Sequence, residues 1–282
     1  MNLHLKLHPL LFILLLLIAG SCSPRFLIPD VYQKAKVGSV FQFHLKSDTL
    51  FNSKQEIHLL MLPKSKYKRV PVSIGYATDK LLTTSAMSEK YRAEAAVNGG
   101  FFDRDKGGSV CYFETGNRTI SRTRPDSLKW AKSRSVANGA LVFFGNDSLV
   151  IEPARSDEYY EKSLSESAVM VAGPLLIHQS KLQPLPNVSL TNDRNPRTCI
   201  GINNGFIILA TIDGRSATAA GMTLFEVQQF FSRLKCTSAL NLDGGGSTAL
   251  WIKGQGIVNH PSDREGERPV SDIVFIKKQK SR

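Results

Sequence analysis

The sequence predicts an α+β protein, with a single domain built on a mixed, mostly antiparallel β-sheet and a few packed helices. Short apolar runs of the kind that form strands outnumber the helical patterns along the chain. Several neighbouring runs are joined by turn sequences that typically connect β-hairpins. Long stretches also lack the strict alternation of strand and helix that produces a parallel sheet.

The first predicted elements are two short strands and a helix. Residues 57–62 and 70–74 are apolar enough to form the strands. The composition of residues 84–95 favours a helix, and Thr84 or Ser85 is placed to cap its first turn. We expect this helix to lead into a short apolar strand that ends at a turn rich in asparagine and glycine.

Two hairpins are predicted further along the chain. Residues 141–144 and 149–151 flank a polar, glycine-containing turn. Residues 199–203 and 206–212 flank an Asn-Gly pair, which between two apolar runs is a strong hairpin signal. Both pairs therefore predict antiparallel neighbours in the sheet.

A second helix is predicted immediately after a capping box. Thr223 and Glu226 have the spacing at which each side chain accepts a hydrogen bond from the backbone N–H of the other. Apolar residues then recur at helical spacing, which indicates a helix packed on the core. These residues are Leu224, Val227, Phe231 and Leu234. A strand over residues 239–242 is expected to follow this helix.

The first residues are typical of an export signal. Lys6 precedes an unbroken apolar run over residues 10–18, which is shorter than the roughly 20 residues of a membrane-spanning helix. Small residues and then Cys22 follow, as in a bacterial lipoprotein signal. We therefore expect residues 1–21 to be a signal peptide, Cys22 to be lipidated, and the protein to be exported and anchored to a membrane of the bacterial cell envelope. Ordinary secretion with cleavage nearby is the alternative.

The rest of the chain is predicted to form one domain. Residues 22–54 are interpreted as an N-terminal tether and lead-in, and residues 55–282 as the domain itself. No internal repeat, low-complexity block or Pro/Gly/Ser-rich linker divides it. A length of this order is sufficient for one large hydrophobic core.

The charge of the chain favours anionic partners. The 36 lysines and arginines against 24 acidic residues give a formal net charge of +12. Such a balance fits a phosphate-bearing polymer, an acidic membrane surface or a nucleic acid. Because the sequence has no zinc-finger spacing, RNA-binding signature or basic helix with interleaved aromatic residues, nucleic acid is the least favoured of the three.

Cysteine and histidine spacing does not indicate a metal centre or a disulfide framework. Besides Cys22 there are three cysteines and no CxxC pair, so one disulfide is possible but buried free thiols are preferred. The histidines beyond residue 22 are scattered without metal-ligand spacing, so no metal and no cofactor are expected. The residues concerned are Cys111, Cys199, Cys236, His44, His58, His178 and His260. A divalent cation at the acidic loop of residues 213–215 is left open, although nothing in the sequence has calcium-loop spacing.

Four polar clusters stand at the ends of predicted strands. Each cluster taken alone is consistent with an ordinary turn. Three consecutive glycines in the last cluster weaken any helix or strand, so their presence suggests a close approach to the backbone there. The clusters occupy residues 98–103, 194–198, 213–215 and 241–248.

Together with the surrounding motifs, these clusters resemble the phosphodiester glycosidase family over residues 55–277. The motifs follow the order of that family, and the main departure is Cys199, at a position where a small alanine is commoner. They are AVNGGFFD at 96–103, AGPLLI at 172–177, NPRTCIGI at 195–202, DGR at 213–215, GMTLFE at 221–226, LNLDGGGST at 240–248 and VNHPSD…ERPV at 258–270. The resemblance implies an enzyme that releases an N-acetylglucosamine-like sugar from a sugar-1-phosphodiester, leaving a phosphomonoester.

That reaction needs a carboxylate at the anomeric carbon, where oxocarbenium character develops. Asp243 is the first candidate, because it follows a strand and the glycines after it leave room for substrate. Asp213 is the candidate for a second carboxylate, with a plain β-turn at this position as the alternative. Ser247 has no G-x-S-x-G frame and no evident histidine partner, so a serine hydrolase is not indicated.

The departing phosphate is a weak base, so binding its charge matters more than protonating it. Arginines suit this task through charge-assisted, bidentate hydrogen bonds. Arg197 and Arg215 are the candidate phosphate ligands, and Arg194 and Arg268 are weaker candidates. The remaining candidates for binding substrate are Asn98, Gly99, Thr198, Asn241, Gly244, Gly245, Gly246, Ser247 and Thr248. For Asn241 the alternative is that it only braces the Asp243 loop, and for residues 98–100 that they form a tight turn before core aromatic residues. A lipid-anchored protein that binds anionic glycopolymers of the cell envelope without turnover is the alternative function.

Overall fold

The structure is a computed structural model of the 282-residue chain, and it describes residues 32–37, 40–66, 70–78, 80–146 and 148–278. Within these residues the chain forms eighteen strands and four α-helices. The helices are α1 (Thr84–Lys90), α2 (Asp157–Lys162), α3 (Ser189–Asn192) and α4 (Leu224–Arg233). None of them combines the length and the apolar character that a membrane crossing needs. The predicted signal peptide and Cys22 lie outside the described residues.

The strands form three sheets. In spatial order, the first sheet contains β1 (Tyr32–Val37), β2 (Val40–Ser47), β3 (Gln55–Pro63), β14 (Phe206–Ile212), β13 (Arg197–Ile202), β15 (Ser238–Asn241), β11 (Leu175–His178) and β12 (Lys181–Leu182). The second contains β7 (Arg118–Ser121), β6 (Phe113–Thr115), β10 (Glu166–Ala172), β8 (Gly139–Phe144) and β9 (Leu149–Pro153). The third contains β17 (Gly256–Ile257), β16 (Leu250–Ile252), β5 (Ala93–Asn98), β18 (Asp272–Lys277) and β4 (Val72–Tyr76).

Every strand pair in the described parts of these sheets is antiparallel. The α+β class with mostly antiparallel pairing is therefore confirmed. The sequence predicted one sheet, however, and the structure contains three.

The three sheets share one apolar core. Leu62 of the first sheet, Met170 of the second and Val97 of the third are all fully buried in the same cluster. The opposite face of each sheet packs against a helix: α4 covers the first, α2 the second and α1 the third. Each sheet thus buries both faces, which explains why many strands are apolar at successive positions instead of alternating.

The locally signalled elements form as predicted. The Asn-Gly turn joins β13 to β14, and the side-chain oxygen of Asn203 accepts hydrogen bonds from the N–H groups of Gly205 and Phe206. The turn between β8 and β9 makes the other hairpin. The Thr223 hydroxyl accepts from the Glu226 N–H at 3.1 Å, and the Glu226 carboxylate accepts from the Thr223 N–H at 2.9 Å. The capping box is therefore confirmed.

The first predicted helix is shorter than expected. Its N-cap is Thr83, not Thr84 or Ser85, and the Thr83 hydroxyl accepts from the Ala86 N–H. The helix ends at Lys90, and Arg92 takes a positive φ of 50° before β5 begins. Residues 93–95, which the helical pattern included, belong to the central strand of the third sheet because they are needed there for pairing with β18.

The predicted lead-in contributes to the fold. β1 and β2 extend the first sheet beyond β3, and β2 pairs with β3 over seven residues of each strand. Phe43 and Leu45 of β2 are buried in the cluster that also contains α4. Residues 40–47 are therefore part of the packed structure, and the boundary drawn at residue 55 falls inside the sheet.

Candidate active site

A cavity of about 430 Å³ lies at the edge of the first sheet where β13 begins and β15 ends. This volume falls within the roughly 300–1,000 Å³ of typical small-molecule sites. The lining residues are Arg104, Ser189, Leu190, Asp193, Asn195, Arg197, Arg215, Asp243, Gly244, Gly245, Gly246 and Arg268.

Asp243 is fixed in this cavity by hydrogen bonds of its main chain. It follows β15 directly, and its N–H donates to the Gly99 carbonyl at 2.9 Å. Its own carbonyl accepts from the side-chain amide of Asn98 at 2.6 Å. Asn98 in turn accepts from the Thr198 hydroxyl at 2.6 Å. The first and third sheets therefore meet at Asp243 and set its position.

The surroundings of the Asp243 carboxyl group have opposing effects on its pKa. Burial raises its pKa, while a hydrogen bond from Ser247 and the positive charges of Lys132 and Arg268 lower it. Burial is the largest of these effects, so the pKa is raised above the ordinary aspartate value. Perturbation of this kind in a cavity is characteristic of catalytic carboxyl groups.

A second carboxyl group lies behind Asp243. Asp272 is 1% exposed, and it accepts hydrogen bonds from the Gly100 N–H at 2.6 Å and from the hydroxyl of Ser271. Burial, with a smaller contribution from the negative charge of Asp243, raises the pKa of Asp272 to about 6. Sequence reasoning missed this residue, which begins β18 directly before the apolar run at 273–276 and lies outside the four polar clusters.

The glycine turn after Asp243 passes close to charged side chains. Gly245 has a φ of 61°, and its N–H donates to the Pro196 carbonyl at 2.9 Å. A Cβ on Gly246 would lie 2.1 Å from both Arg268 Nη2 and Asp263 Oδ1. The turn therefore requires glycine for a left-handed conformation at one position and for a close approach at the next.

Three arginines present guanidinium groups to the cavity. Arg215 donates to Asn195 Oδ1 from Nε and Nη2, at 3.2 and 2.7 Å, and is exposed. Arg268 makes a two-pronged ion pair with Asp263, at 2.6 and 2.8 Å. The guanidinium carbon of Arg104 lies 5.8 Å from the centre of the Trp130 ring. Asp243 lines the same cavity. The three guanidinium groups can therefore bind an anion close to its carboxylate.

Arg197 occupies a different position. It is 1% exposed, and it donates to the main-chain carbonyls of Met222, Leu190 and Asp193 at 2.7–2.8 Å. Burial lowers its pKa to about 10. These bonds hold α3 and Asp193 against the sheet, so the geometry favours Arg215, Arg268 and Arg104 over Arg197 as direct ligands of an anion.

The model of the phosphodiester glycosidase family matches residues 91–277. The chain belongs to the phosphodiester glycosidase family. All seven motifs that suggested this family lie inside the matched residues, although the match begins at residue 91 and not at residue 55.

Relatives of the chain include animal enzymes and a bacterial protein. It is 25% identical over 218 residues to N-acetylglucosamine-1-phosphodiester alpha-N-acetylglucosaminidase of cattle, covering 72% of this chain and 40% of that one. It is 36% identical over 86 residues to the uncharacterized protein YomE of the SPbeta prophage of Bacillus subtilis, covering 30% of this chain and 13% of that one. The chain thus spans less than half the length of both.

The fold is shared with a solved relative. The catalytic domain of the zebrafish N-acetylglucosamine-1-phosphodiester alpha-N-acetylglucosaminidase, auto-inhibited by its pro-peptide, matches with a TM-score of 0.66 at 18% identity. The match covers 92% of this chain and 86% of the zebrafish domain. The chain therefore shares the fold of that domain.

The structure divides the predicted substrate-binding residues of the chain into two groups. The first group lines the cavity: Arg197, Arg215, Gly244, Gly245 and Gly246, together with Asp243 and the weaker candidate Arg268. The second group is buried behind it and does not line it: Asn98, Gly99, Thr198, Asn241, Ser247 and Thr248.

The buried group holds the main chain of the site. Asn241, predicted to bind sugar, donates to the carbonyls of Gly173 and Leu242 at 2.7 Å. Gly99 joins Asp272 to Asp243 through its N–H and carbonyl. Most of their polar side-chain groups are used within the protein, and their direct contact with substrate stays a prediction.

Asp213 also requires a correction. Its carboxylate accepts hydrogen bonds from the Asn259 side chain and the His260 N–H, both at 3.0 Å. It is 2% exposed and does not line the cavity. Asp213 is thus placed to support a loop, and the carboxylate that shares the cavity with Asp243 is Asp193.

The structure also places Arg194 and the three cysteines that the sequence analysis considered. Arg194, a weaker phosphate candidate, forms an ion pair with Glu226 of the capping box. The three cysteines of the described residues are buried free thiols, as preferred from the sequence.

Arg104, Asp193 and Asn195 line the cavity but were not selected as candidate ligands. Arg104 directly follows the first cluster, and Asp193 directly precedes the second. Their nearness to those motifs is the signal that would have identified them.

Proposed function

We propose that this glycosidase hydrolyses sugar-1-phosphodiesters of an N-acetylglucosamine-like sugar, releasing the free sugar and a phosphomonoester. The observation that carries the proposal is the sharing of one cavity by the Asp243 carboxyl and the guanidinium groups of Arg104, Arg215 and Arg268. The activity named for the cattle and zebrafish relatives supports the same reaction.

The charged side chains of the site can stabilise the charges that develop in this reaction. As the bond between the anomeric carbon and the phosphate oxygen breaks, positive charge develops on the sugar and negative charge on the phosphate. Ionised Asp243 stabilises the sugar cation, by contact or as the nucleophile. Arg215 and Arg104 bind the departing phosphate. The oxygen of water ends on the anomeric carbon, and its proton passes to the phosphate or to solvent.

The bond that breaks can be identified with a simple substrate. The protein is incubated with methyl α-N-acetylglucosamine-1-phosphate in ¹⁸O-labelled water. We expect free N-acetylglucosamine carrying ¹⁸O, and unlabelled methyl phosphate. Formation of N-acetylglucosamine-1-phosphate and methanol would instead show cleavage at phosphorus, and would contradict the role given to Asp243.

Asp243→Asn is the test of the carboxylate. We expect kcat to fall on the order of 10³-fold or more, because a charge that stabilises the transition state is removed. Asp126→Asn, at an exposed carboxylate outside the cavity, is the matched control and should retain full activity. Equal activity of the two variants would exclude Asp243 as a catalytic residue.

A binding protein for anionic glycopolymers is the second candidate, and the net charge of +12 favours it as much as it favours an enzyme. The same variants separate the two functions. A binding protein should give no product from any phosphodiester tested, and Asp243→Asn should change its affinity only modestly.

We also propose that the protein is exported and anchored through a lipid on Cys22, as the lipoprotein-type signal suggests. Incorporation of radiolabelled palmitate into the wild-type protein, and its loss in Cys22→Ala, would support the anchor. A secreted, unlabelled wild-type protein would contradict it.

A further inference from the structure

Two histidines and a glutamate that belong to none of the family motifs meet on one face of the first sheet. His44 of β2 and His58 of β3 are directly opposite in the antiparallel register, and their rings stack with centroids 4.2 Å apart. Glu56 precedes His58 by two residues and therefore points to the same face. Its Oε1 lies 2.8 Å from His44 Nε2.

Asp213 extends this row onto the next strand. The Asp213 N–H donates to the Glu56 carbonyl at 2.9 Å, just beyond the end of β14. One oxygen of its carboxylate lies 3.7 Å from His58 Nε2. Two imidazoles and two carboxylates from three adjacent strands are therefore gathered at one place.

His58 gives independent evidence that something is bound there. His58 is only 4% exposed, and neither ring nitrogen has a hydrogen-bond partner among the described residues. Leaving a buried polar group unpaired costs on the order of 1–3 kcal/mol, so such groups usually have a partner that remains to be identified. Its Nε2 faces the Asp213 carboxylate at a distance too long for a hydrogen bond but short enough for a shared metal ion.

The distances within the cluster fit a transition-metal ion. One ligand atom from each of His44, Glu56 and His58 lies within 4.8 Å of the others. Zinc bonds of about 2.0–2.2 Å to nitrogen and oxygen place tetrahedral ligand atoms roughly 3.3–3.6 Å apart. The two imidazole planes are inclined by only 12°, so one ring must rotate before both nitrogens point at the same ion. Imidazole ligands favour zinc and its neighbours over calcium and magnesium, which prefer oxygen.

We propose that His44, Glu56, His58 and Asp213 bind one zinc-type divalent metal ion. The two carboxylates balance the charge of the ion, and the two neutral imidazoles complete a tetrahedral set. Lys46 Nζ lies 3.0 Å from Glu56 Oε1, but its side chain is 64% exposed and can withdraw into solvent. An ion-pair network of His44, Glu56 and Lys46 without a metal is the alternative arrangement.

The metal would brace the loop that follows the glycine turn. Asp213 accepts from the side-chain amide of Asn259, and this amide also donates to the Thr248 carbonyl at 3.2 Å. Asn259 Oδ1 accepts from the Leu250 N–H at 2.7 Å. A ligand role for Asp213 therefore links the metal to the chain just beyond the cavity, as a structural ion without contact to substrate.

The sequence did not reveal this cluster because its spacing resembles no metal motif. Histidines 14 positions apart, with a glutamate between them, are joined only by the register of β2 against β3. The fourth residue arrives from a distant part of the chain. The expectation of no metal therefore rested on spacing alone.

Titration with Co²⁺ tests the proposal without reference to activity. Untagged protein is stripped with a chelator, dialysed, and titrated with Co²⁺ while visible absorption is recorded. We expect one equivalent to give the intense absorption of tetrahedral cobalt, and Zn²⁺ to displace it while excess Ca²⁺ or Mg²⁺ does not. Absence of a stoichiometric Co²⁺ or Zn²⁺ complex in the wild-type protein would overturn the proposal.

Three single variants locate the ion. His44→Gln and His58→Gln should each weaken Zn²⁺ binding at least about 100-fold, measured by competition with a chromophoric chelator. His178→Gln should bind like the wild type, because His178 lies in β11, near the opposite end of the first sheet. Circular dichroism checks folding, and His44→Gln, at a partly exposed position, remains informative if His58→Gln unfolds. Equal affinity of all three variants would also overturn the proposal.

Discussion

Asp243 is a carboxyl group whose ionisation is set by its immediate neighbours. Burial raises its pKa, and the hydrogen bond from Ser247 and the charges of Lys132 and Arg268 oppose that rise. The proposed reaction requires the ionised form. Activity should therefore fall as the pH drops through a value above the ordinary aspartate range, since protonation then removes the stabilising charge.

Lys132→Gln should move this acidic limit of kcat/KM to higher pH. The lysine contributes a positive charge that lowers the pKa of Asp243, and it does not line the cavity. Its removal therefore raises the pKa further, with little change in the maximum rate. The pH profile of kcat/KM is the measurement, and Lys253→Gln, at an exposed lysine paired with Glu94, is the control. A profile that is unchanged or moves to lower pH would refute this assignment.

The glycine turn connects the carboxylate to the cationic side of the cavity. Gly244 directly follows Asp243, and Gly246 packs against the ion pair of Arg268 and Asp263. Arg268 also donates to the Ser247 hydroxyl at 3.4 Å, and Ser247 is bonded to Asp243. A change in the turn should therefore alter the positions of both Arg268 and Asp243.

Gly246→Ala should reduce kcat/KM while the protein stays folded. The new methyl group would collide with the ends of two side chains that can move, so Arg268 is displaced and the loss of stability is modest, about 1–2 kcal/mol. Steady-state kinetics and urea unfolding measure the two effects. Gly145→Ala is the matched control, because no atom lies within 4 Å of the added methyl group. Wild-type kinetics in Gly246→Ala would show that the contact with Arg268 is unimportant.

Elements specified by short-range interactions could be predicted from the sequence. The Asn-Gly hairpin and the Thr223–Glu226 capping box are confirmed because each depends on hydrogen bonds between residues at most three positions apart. The helix predicted over residues 84–95 is too long because its last residues pair with β18, and no local pattern carries that information.

The candidate site could be predicted only in part, for a related reason. Polar residues after apolar runs mark the loops at the edge of the sheet, and Asp243 and Arg215 do line the cavity. In sequence, however, a polar residue that binds a ligand looks the same as one that supports the main chain. Asn98 and Asp213 are of the second kind, and only the structure shows which way their hydrogen bonds point.

The whole molecule is organised by three sheets around one core. A sequence pattern shows which runs form strands, but it does not show how eighteen described strands divide between sheets, because that depends on pairing between distant residues. Asp272 shows one effect of this packing on a single carboxyl group. It begins β18, and the packing of all the surrounding elements removes its carboxyl group from water.

Asp272→Asn should change the pH dependence of the free energy of unfolding. A folded-state pKa of about 6 lies above the ordinary value of about 3.9, so the folded protein binds more protons between these limits. The wild-type contribution of Asp272 therefore becomes less favourable as the pH rises from about 4 to about 6, by on the order of 2–3 kcal/mol.

Urea unfolding at several pH values measures this effect. The stability of Asp272→Asn relative to the wild type should increase between pH 4 and pH 6.5 and then remain constant. Asp126→Asn, at an exposed carboxylate, should show no such trend. A constant difference between Asp272→Asn and the wild type across this range would mean that the carboxyl group is not held protonated by the fold.

β18 lies between β4 and β5 in the third sheet, and its residue Val274 pairs with both Ile74 and Val97. The two early strands do not pair with each other, so they stay apart until a segment nearly two hundred residues later is inserted between them. Closing so long a loop before any contact compensates for the lost chain entropy makes folding slow. During that delay, the edges of the two waiting strands are exposed to other chains, and a partly folded molecule is then at greatest risk of aggregation.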